Sequence, residues 1–548
     1  MILTVIMGST VSLQAAETNF SSWVLDRDLE DGAVITLPKG VHHIYPDKLP
    51  EKFLHISNND DGNKRILFDL SGKNNVTIDG NGSELRMHGH VIPFYMKHAE
   101  NITIRNLVID WEHPFYAQAE VVDVGTDWID VQFQKEYPVE IDDDELYAIN
   151  PDIPDPVHFD NINFIDPEKG EQAYQSTDEY GAMNKGNYKA SRNKKGIVRI
   201  QSPLFRNQPV KGEIAVFHYS GRTSPAISVQ SSENIRIENV TQYHAGAIAN
   251  IFEDSSNIII DKMVMQPRPN SGRWFSALND ATHHVDCSGL LQITDSLFEF
   301  QGDDAANIHG IYRTIDRAKG KDGLRLRLNH HQQLGVETIH PGDSIALCDM
   351  DTLETLAYAT VSEVKTRDPQ TTDYRFTEPL PKLDWQNVAA MRYETNVTVE
   401  IRGNTFRNNR ARGVLVKSYG RVRIHDNLFH TPGAAVITGY GTTGRWFESG
   451  PLNDLEIFNN TFDQCVFANW GNTLLALGTR QGKPTSKNIR VHNNRIIQIY
   501  KPLVRVTNVE NFSFYENTIT PGTDYPHRES APDNVQLGTG VTTGKIQE

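Results

Sequence analysis

Between Phe300 and Gly310 the chain reads FQGDDAANIHG, which sets two carboxylates side by side with an asparagine and a histidine close behind. Asp and Gly are ordinary turn residues, so Asp303–Asp304 alone is also compatible with a solvated turn. A partner stands upstream, however. Asp280 opens the phrase NDATHH, 23 residues before Asp303 and 24 before Asp304, and Asp280-Ala281-Thr282-His283 aligns with Asp304-Ala305-Ala306-Asn307. If the chain closes one solenoid coil in that length, the three carboxyls meet on two coils about 4.8 Å apart. Three carboxyls that close cannot all ionise freely, so at least one is held above its ordinary pKa. One protonated and one ionised carboxyl together are what acid/base cleavage of a glycosidic bond requires. Asn307, His309, His283 and His284 lie near enough in the chain to hold sugar hydroxyls, and each histidine is equally open to a structural role.

A bound cation is the rival chemistry. No tight Asp/Glu loop of the calcium type is present, and the histidine spacing fits no zinc site, so the expectation is a site without metal or cofactor. Further along, ARGVLVKS (Ala411–Ser418) brings Arg412 and Lys417 within a coil or two of the acids, able to reach a sugar or to stand as exposed cations on the solenoid. The phrase GRWF occurs twice, at Gly272–Phe275 and Gly444–Phe447, where it runs on to Glu448. Trp274 and Trp446 could each stack on the apolar face of a pyranose or pin their loops to the body.

The elements that must position these residues are short strand-like phrases opening with Asn. NVTIDG, NITIRNLVID, NIRIENV and NIIIDKMVM begin at Asn75, Asn101, Asn234 and Asn257; shorter copies begin at Asn404, Asn427, Asn460, Asn494 and Asn517. Steps of 23 residues, or 33 and 34 where a loop is added, with no helical periodicity and no leucine pattern, indicate a right-handed parallel β-helix. The recurrent Asn is expected to form a hydrogen-bonded ladder at a turn. Two stretches break the rhythm with alternating strands of their own. The expected organisation is therefore all-β: a signal-like segment 1–16, coils over 17–112, a β-rich insertion 113–222, central coils 223–310 with the acid cluster, a barrel-like insertion 311–395, and carboxy-terminal coils and tail 396–548.

With 548 residues, 38% hydrophobic content and a formal charge of -17, the chain is a folded protein unsuited to nucleic acid or an anionic membrane as main partner. No segment of about 20 apolar residues could span a bilayer. MILTVIMGSTVSLQAA at the start has the apolar core and small residues of an export signal without its basic start, which points to a secreted or periplasmic protein. Cys287, Cys348 and Cys465 form neither a disulfide framework nor a zinc signature and are expected as buried free thiols. A solenoid flank or an insertion could pair with its copy in a homodimer.

With GDDAANIHG, NDATHHVDCSG, ARGVLVKS and WFESGP in view, and with HISNNDDGNKRILF (His55–Phe68) and VIDWEHPF (Val108–Phe115) nearer the start, the sequence resembles glycoside hydrolase family 110. Those enzymes remove terminal α-1,3-linked galactose and carry β-barrel inserts on a β-helix. A more distant similarity runs to the polygalacturonases, in which the HG motif stands much farther from the acid pair. The resemblance implies an exo-acting, metal-independent, inverting hydrolase acting on a galactose-terminated oligosaccharide or polysaccharide. It makes Asp303 the general acid and gives Asp280 and Asp304 the attacking water. It leaves Asn307, His309, Arg412, Trp446 and Glu448 to grip galactose. Two alternatives remain: an endo-acting polygalacturonase-like hydrolase with an open cationic groove, and a non-catalytic carbohydrate-binding β-helix.

Overall fold

The computed structural model describes residues 20–25, 27, 29–439, 446–479 and 482–547. The signal-like segment 1–16, and Gly444 and Arg445 of the second GRWF loop, lie outside these. Each strand-like phrase pairs in parallel with the phrase one coil away, so that Ile235 and Ile237 sit beside Ile258 and Ile260, and Val399 and Ile401 beside Val422 and Ile424. The result is a parallel β-helix with a 20-stranded and a 13-stranded sheet among the described residues. Alternation sends every second side chain inward, as the strand Val397–Arg402 shows, and the inward residues of successive coils merge into one core. A column of buried rings, Phe298, Phe406, Phe429 and Phe462, runs through it with centroids 5.7, 4.9 and 5.1 Å apart.

The recurrent asparagines form two ladders, where the sequence suggested one. In the outer ladder, Asn101 donates to Asn75 and Asn257 to Asn234, each at 3.0 Å. These four residues take φ between 54° and 59°, a region that Asn tolerates better than other side chains. The inner ladder is buried. Asn404, Asn427, Asn460 and Asn494 each donate to the Oδ1 of the next, ending at Asn517, over 3.0, 3.0, 3.1 and 2.9 Å and across steps of 23, 33, 34 and 23 residues. Each acceptor oxygen also takes the main-chain N–H of the residue above it. The difference is one of turn position. Each inner residue follows a left-handed one (Gly403, Asp426, Asn459, Asn493 or Glu516), which bends the strand and aims the next side chain inward.

The insertions are separate antiparallel structures. The first runs from the strand Tyr116–Val124 to the strand Ile214–Tyr219 within a nine-stranded sheet, and the second is a closed six-stranded barrel from Arg313–Ala318 to Val388–Arg392 with its own core. The three cysteines are free and buried. No helix among the described residues is long and apolar enough to cross a membrane.

The two ladders differ in what they contribute. Asn460→Leu would strand the Asn427 N–H and side-chain amide and take one donor from the Ile424 carbonyl and from the Asn494 side-chain oxygen, which keeps the main-chain N–H. It should cost about 3 kcal/mol or more, whereas Asn234→Gly on the outer ladder should stay within about 1 kcal/mol. Denaturant unfolding of the two variants measures this difference.

Candidate active site

The phrase NDATHH runs into the strand Thr282–Val285, and GDD runs into the strand Ala306–Ile311 of the next coil. The two strands pair with Thr282 beside Ala306 and His283 beside Asn307. The Ala281 N–H donates to the Asp304 carbonyl at 2.9 Å, so Asp280 and Asp304 are stacked neighbours. Gly302 lets the acidic turn settle against the coil below: a Cβ there would meet the Leu278 carbonyl oxygen at 2.0 Å. The third coil follows directly, with Ala306 beside Val414, although the barrel separates them in sequence. Carboxyl oxygens of Asp280, Asp303 and Asp304 consequently lie within 4.8 Å of one another.

Arginines make this concentration of charge tolerable. Arg412 forks onto Asp304, with Nε at 2.6 Å from Oδ1 and Nη2 at 2.8 Å from Oδ2, and its Nη2 also reaches Asp303 at 3.3 Å. Arg410 stands 3.0 Å from the other Asp303 oxygen and is anchored behind by Asp178 of the first insertion, at 3.0 and 2.7 Å. Three hard oxygen donors could in principle take a cation, but two guanidiniums already occupy that role and would have to be displaced.

The acids do not share protons equally. Burial would raise Asp303, but Arg410, Arg412 and Arg222 outweigh it and hold this carboxyl below its ordinary range. Burial, reinforced by the charge of Asp303, pushes Asp280 up to about 8. Burial likewise raises Asp304 against the pull of Arg412. Beside them a second ion pair is shut in the wall: Lys417 Nζ lies 2.8 Å from Glu448, and although burial works the other way, it keeps Glu448 well below the usual carboxylate range.

Asp280 and Asp303 open into a cleft of about 310 Å³, at the small end of ligand pockets, which run roughly from 300 to 1,000 Å³. Asp280, Asp303, His283, Asn307, Arg412, Trp446 and Glu448 all line it, as the sequence led us to expect. Four expected residues do not, the first being Asp304, whose carboxyl is fully buried under the Arg412 fork. Lys417 is 1% exposed: just past the strand Val414–Val416 it is covered by Glu448, with which it pairs. His309 is buried behind His283. Trp274 packs near Phe300 at 6.1 Å while its main-chain N–H donates to the Gln118 side chain of the first insertion at 2.7 Å, so it pins its loop and stays clear of the sugar site. His284, paired with no acid, stacks on Phe252 at 4.8 Å.

Sequence reasoning passed over Asn58, Arg222, Arg410 and Trp470, all on the cleft wall. Arg222 closes the first insertion, bonding the Asn58 carbonyl at 3.0 Å and lying 5.0 Å from the Trp446 ring. Arg410 precedes Arg412 by two, the strand-like spacing that could have flagged it. Two buried polar atoms of wall residues, Asn307 Oδ1 and Trp470 Nε1, find no hydrogen-bond partner among the described residues.

Because the folded protein raises Asp280, its contribution to stability is complete below the unfolded value near 3.9 and is lost as pH rises toward about 8. Asp280→Asn should therefore unfold at a higher temperature than the wild type at pH 8, with the gap closing toward pH 4, while activity is lost. Lys417→Met leaves Glu448 buried without its partner and should cost about 3–5 kcal/mol. Thermal unfolding across a pH series reads both.

Three family models match the chain: GLAA-B beta-barrel domain I over residues 117–215, GLAA-B beta-barrel domain II over 323–383, and the right handed beta helix region over 382–526. An alpha-1,3-galactosidase A from Shewanella woodyi is 29% identical over 517 residues, covering 91% of this chain and 82% of its own. An alpha-1,3-galactosidase B from Bacteroides thetaiotaomicron is 27% identical over 508 residues, covering 90% and 82%. A family 28 exopolygalacturonase from Yersinia enterocolitica overlays with a TM-score of 0.32 at 11% identity, over 84% of this chain and 74% of that one, a likeness too loose to inform the site. Both barrel domains, the β-helix and the alignment over nine-tenths of the chain bear out the resemblance read from the motifs: the chain is a glycoside hydrolase similar to the alpha-1,3-galactosidases.

Proposed function

We propose that the protein removes terminal α-1,3-linked galactose from a glycan by exo attack, with inversion at C1. The observation that carries this reading is the clustering of Asp280, Asp303 and Asp304, the first two of them on the wall of one cleft, on a chain aligned with α-1,3-galactosidases along nine-tenths of its length. Exo action is supported by the cleft's small volume and by its closed walls. The Trp446 carbonyl is held by Gln333 of the barrel at 2.8 Å, and Arg222 lies against its ring. Trp446 and Trp470 offer aromatic faces to a sugar ring. The three arginines of the wall meet carboxylates or a carbonyl of the protein itself, which disfavours a polyuronide as substrate.

Asp303 takes the role of general acid. Its side chain is 18% exposed against 6% for Asp280 and 0% for Asp304, so it is the carboxyl that can reach a glycosidic oxygen. The arginines hold it ionised in the water-filled cleft. A bound sugar displaces that water and adds to the burial that already pushes it upward. Asp280 and Asp304 hold the water, Asp304 as the acid anchored on Arg412 and Asp280 as the one facing the cleft. Asn307, Arg412, Trp446 and Glu448 contact galactose.

A second reading has specific support. The carboxyl oxygens stand closer than the roughly 6.5–9.5 Å usual for inverting pairs, and the ionised member is Asp303. Both fit a double displacement with Asp303 as nucleophile and Asp280 as acid. Proton NMR of the first product distinguishes them: β-galactose before mutarotation supports inversion, and α-galactose overturns it. On α-1,3-galactobiose, Asp303→Asn should lose at least 10³-fold in kcat/KM, while an activated dinitrophenyl α-galactoside, which needs little acid help, should lose far less. Equal losses on both substrates would remove Asp303 from the acid role. Polygalacturonate should remain uncut.

A further inference from the structure

We propose that His283 and His309 form a directed proton relay behind Asp280, which turns that carboxyl's proton away from the cleft and accepts it when Asp280 takes a proton from the attacking water. This rests on the hydrolase reading above and assigns two positioning residues that it leaves without a task.

The direction follows from which atoms can donate. His309 Nδ1 lies 2.7 Å from the Gly310 carbonyl oxygen, which can only accept, so Nδ1 carries hydrogen. Neutral His309 then has a bare Nε2, and the atom facing it at 2.9 Å is His283 Nε2, which must donate. Neutral His283 is in turn bare at Nδ1, where Asp280 Oδ2 stands 2.6 Å away, so the hydrogen in that short contact belongs to the carboxyl. The opposite Asp280 oxygen, Oδ1, faces the Asp304 N–H at 3.3 Å. A single main-chain carbonyl thereby sets the polarity of three side chains. Running the chain of bonds the other way requires one of the imidazoles to be charged inside the protein.

The surroundings favour the neutral rings. Burial lowers both histidines to about 4. Lys417 and Arg222 push in the same direction, while Glu448, 3.8 Å from His309 Nε2, and Asp303 pull the other way. Neighbouring His284 is neutral as well, and Asp286, facing His309 from the far side, is engaged by Thr338. Asp304 and Arg412 complete the groups around Asp280.

In the step itself, the water oxygen bonds to C1 as the bond from C1 to the glycosidic oxygen breaks. The leaving oxygen takes the Asp303 proton. One water proton passes to Asp280 Oδ1, and the Asp280 Oδ2 proton passes to His283 Nδ1. Asp280 stays neutral throughout, so no second carboxylate forms beside Asp303, and the new positive charge falls on an imidazole facing His309 and, beyond it, the Glu448 carboxylate. An imidazole near 4 is about as basic as an ordinary carboxylate at ~3.9, so nothing is lost in driving force. After product leaves, Asp280 releases its Oδ1 proton to water as His283 returns its own to Oδ2, and Asp303 regains one from bulk water.

The polarity can be read without turnover. In the full chain with 15N-labelled histidine at pH 7, His283 should appear as the Nε2–H tautomer and His309 as the Nδ1–H tautomer, assigned through His283→Gln and His309→Gln. In His309→Leu, which has no acceptor, His283 should switch to the Nδ1–H form, and kcat on α-1,3-galactobiose should fall at least tenfold with KM within twofold. His309→Gln, whose amide oxygen can stand where Nε2 was, should recover most of that loss. An active wild type with His283 protonated at Nδ1, or with either ring doubly protonated, overturns the relay alone. Tautomers as stated in a wild type that cleaves no galactoside overturn the functional reading and, with it, the proton transfer assigned to the relay.

Discussion

Parallel coils stack because each main-chain N–H finds a carbonyl in the coil beside it, about 4.8 Å away, and a slip of one residue would send every side chain to the opposite face. That constraint makes the cleft. Asp280, Asp304 and Arg412 occupy adjacent levels of one sheet only because Thr282, Ala306 and Val414 are held in register. The groups that hold the register are elsewhere: the phenylalanine column and the inner asparagine ladder, whose donors and acceptors fit only when each rung lies over the next. Catalytic geometry here is therefore a by-product of core packing on the other side of the coil.

Stacking carboxyls at that spacing has an electrostatic cost, which the protein meets in layers. Arg412 and Arg410 neutralise the doublet at contact distance, Asp178 fixes Arg410 from behind, and Lys417 balances Glu448 inside the wall. What is left over appears as the raised Asp280. Sites that bind transition states commonly keep such residual strain in charge, at the expense of stability.

Much of this was legible in the sequence because a solenoid repeats. A 23-residue step places Asp280 under the Asp303–Asp304 pair without any knowledge of side-chain direction, and strand alternation suffices for Asn307 and Arg412. Where the prediction needed direction or distant chain, it thinned out. Lys417 looks like a cleft cation until Glu448, 31 residues on, is seen to cover it, and Trp274 looks like a sugar platform until Gln118 from the first insertion is seen to hold it. Asn58, Arg222 and Trp470 reach the wall from loops that obey no period. The two asparagine ladders share one letter in the sequence and differ only by a turn residue's φ.

With the barrel placed between the strand Ala306–Ile311 and the strand Val414–Val416, Asp304 and Arg412 stand 108 positions apart in the chain. Its first and last strands, Arg313–Ala318 and Val388–Arg392, are antiparallel neighbours, so a chain that enters the insertion leaves it next to where it began. Loop closure over such a length is entropically slow; a self-contained module with its own apolar centre shortens the search by bringing its ends together first. Closure of the module thus favours the arrival of the guanidinium that completes the acid cluster, and damage to the barrel would weaken the hold on Arg412 without altering a single residue that lines the cleft.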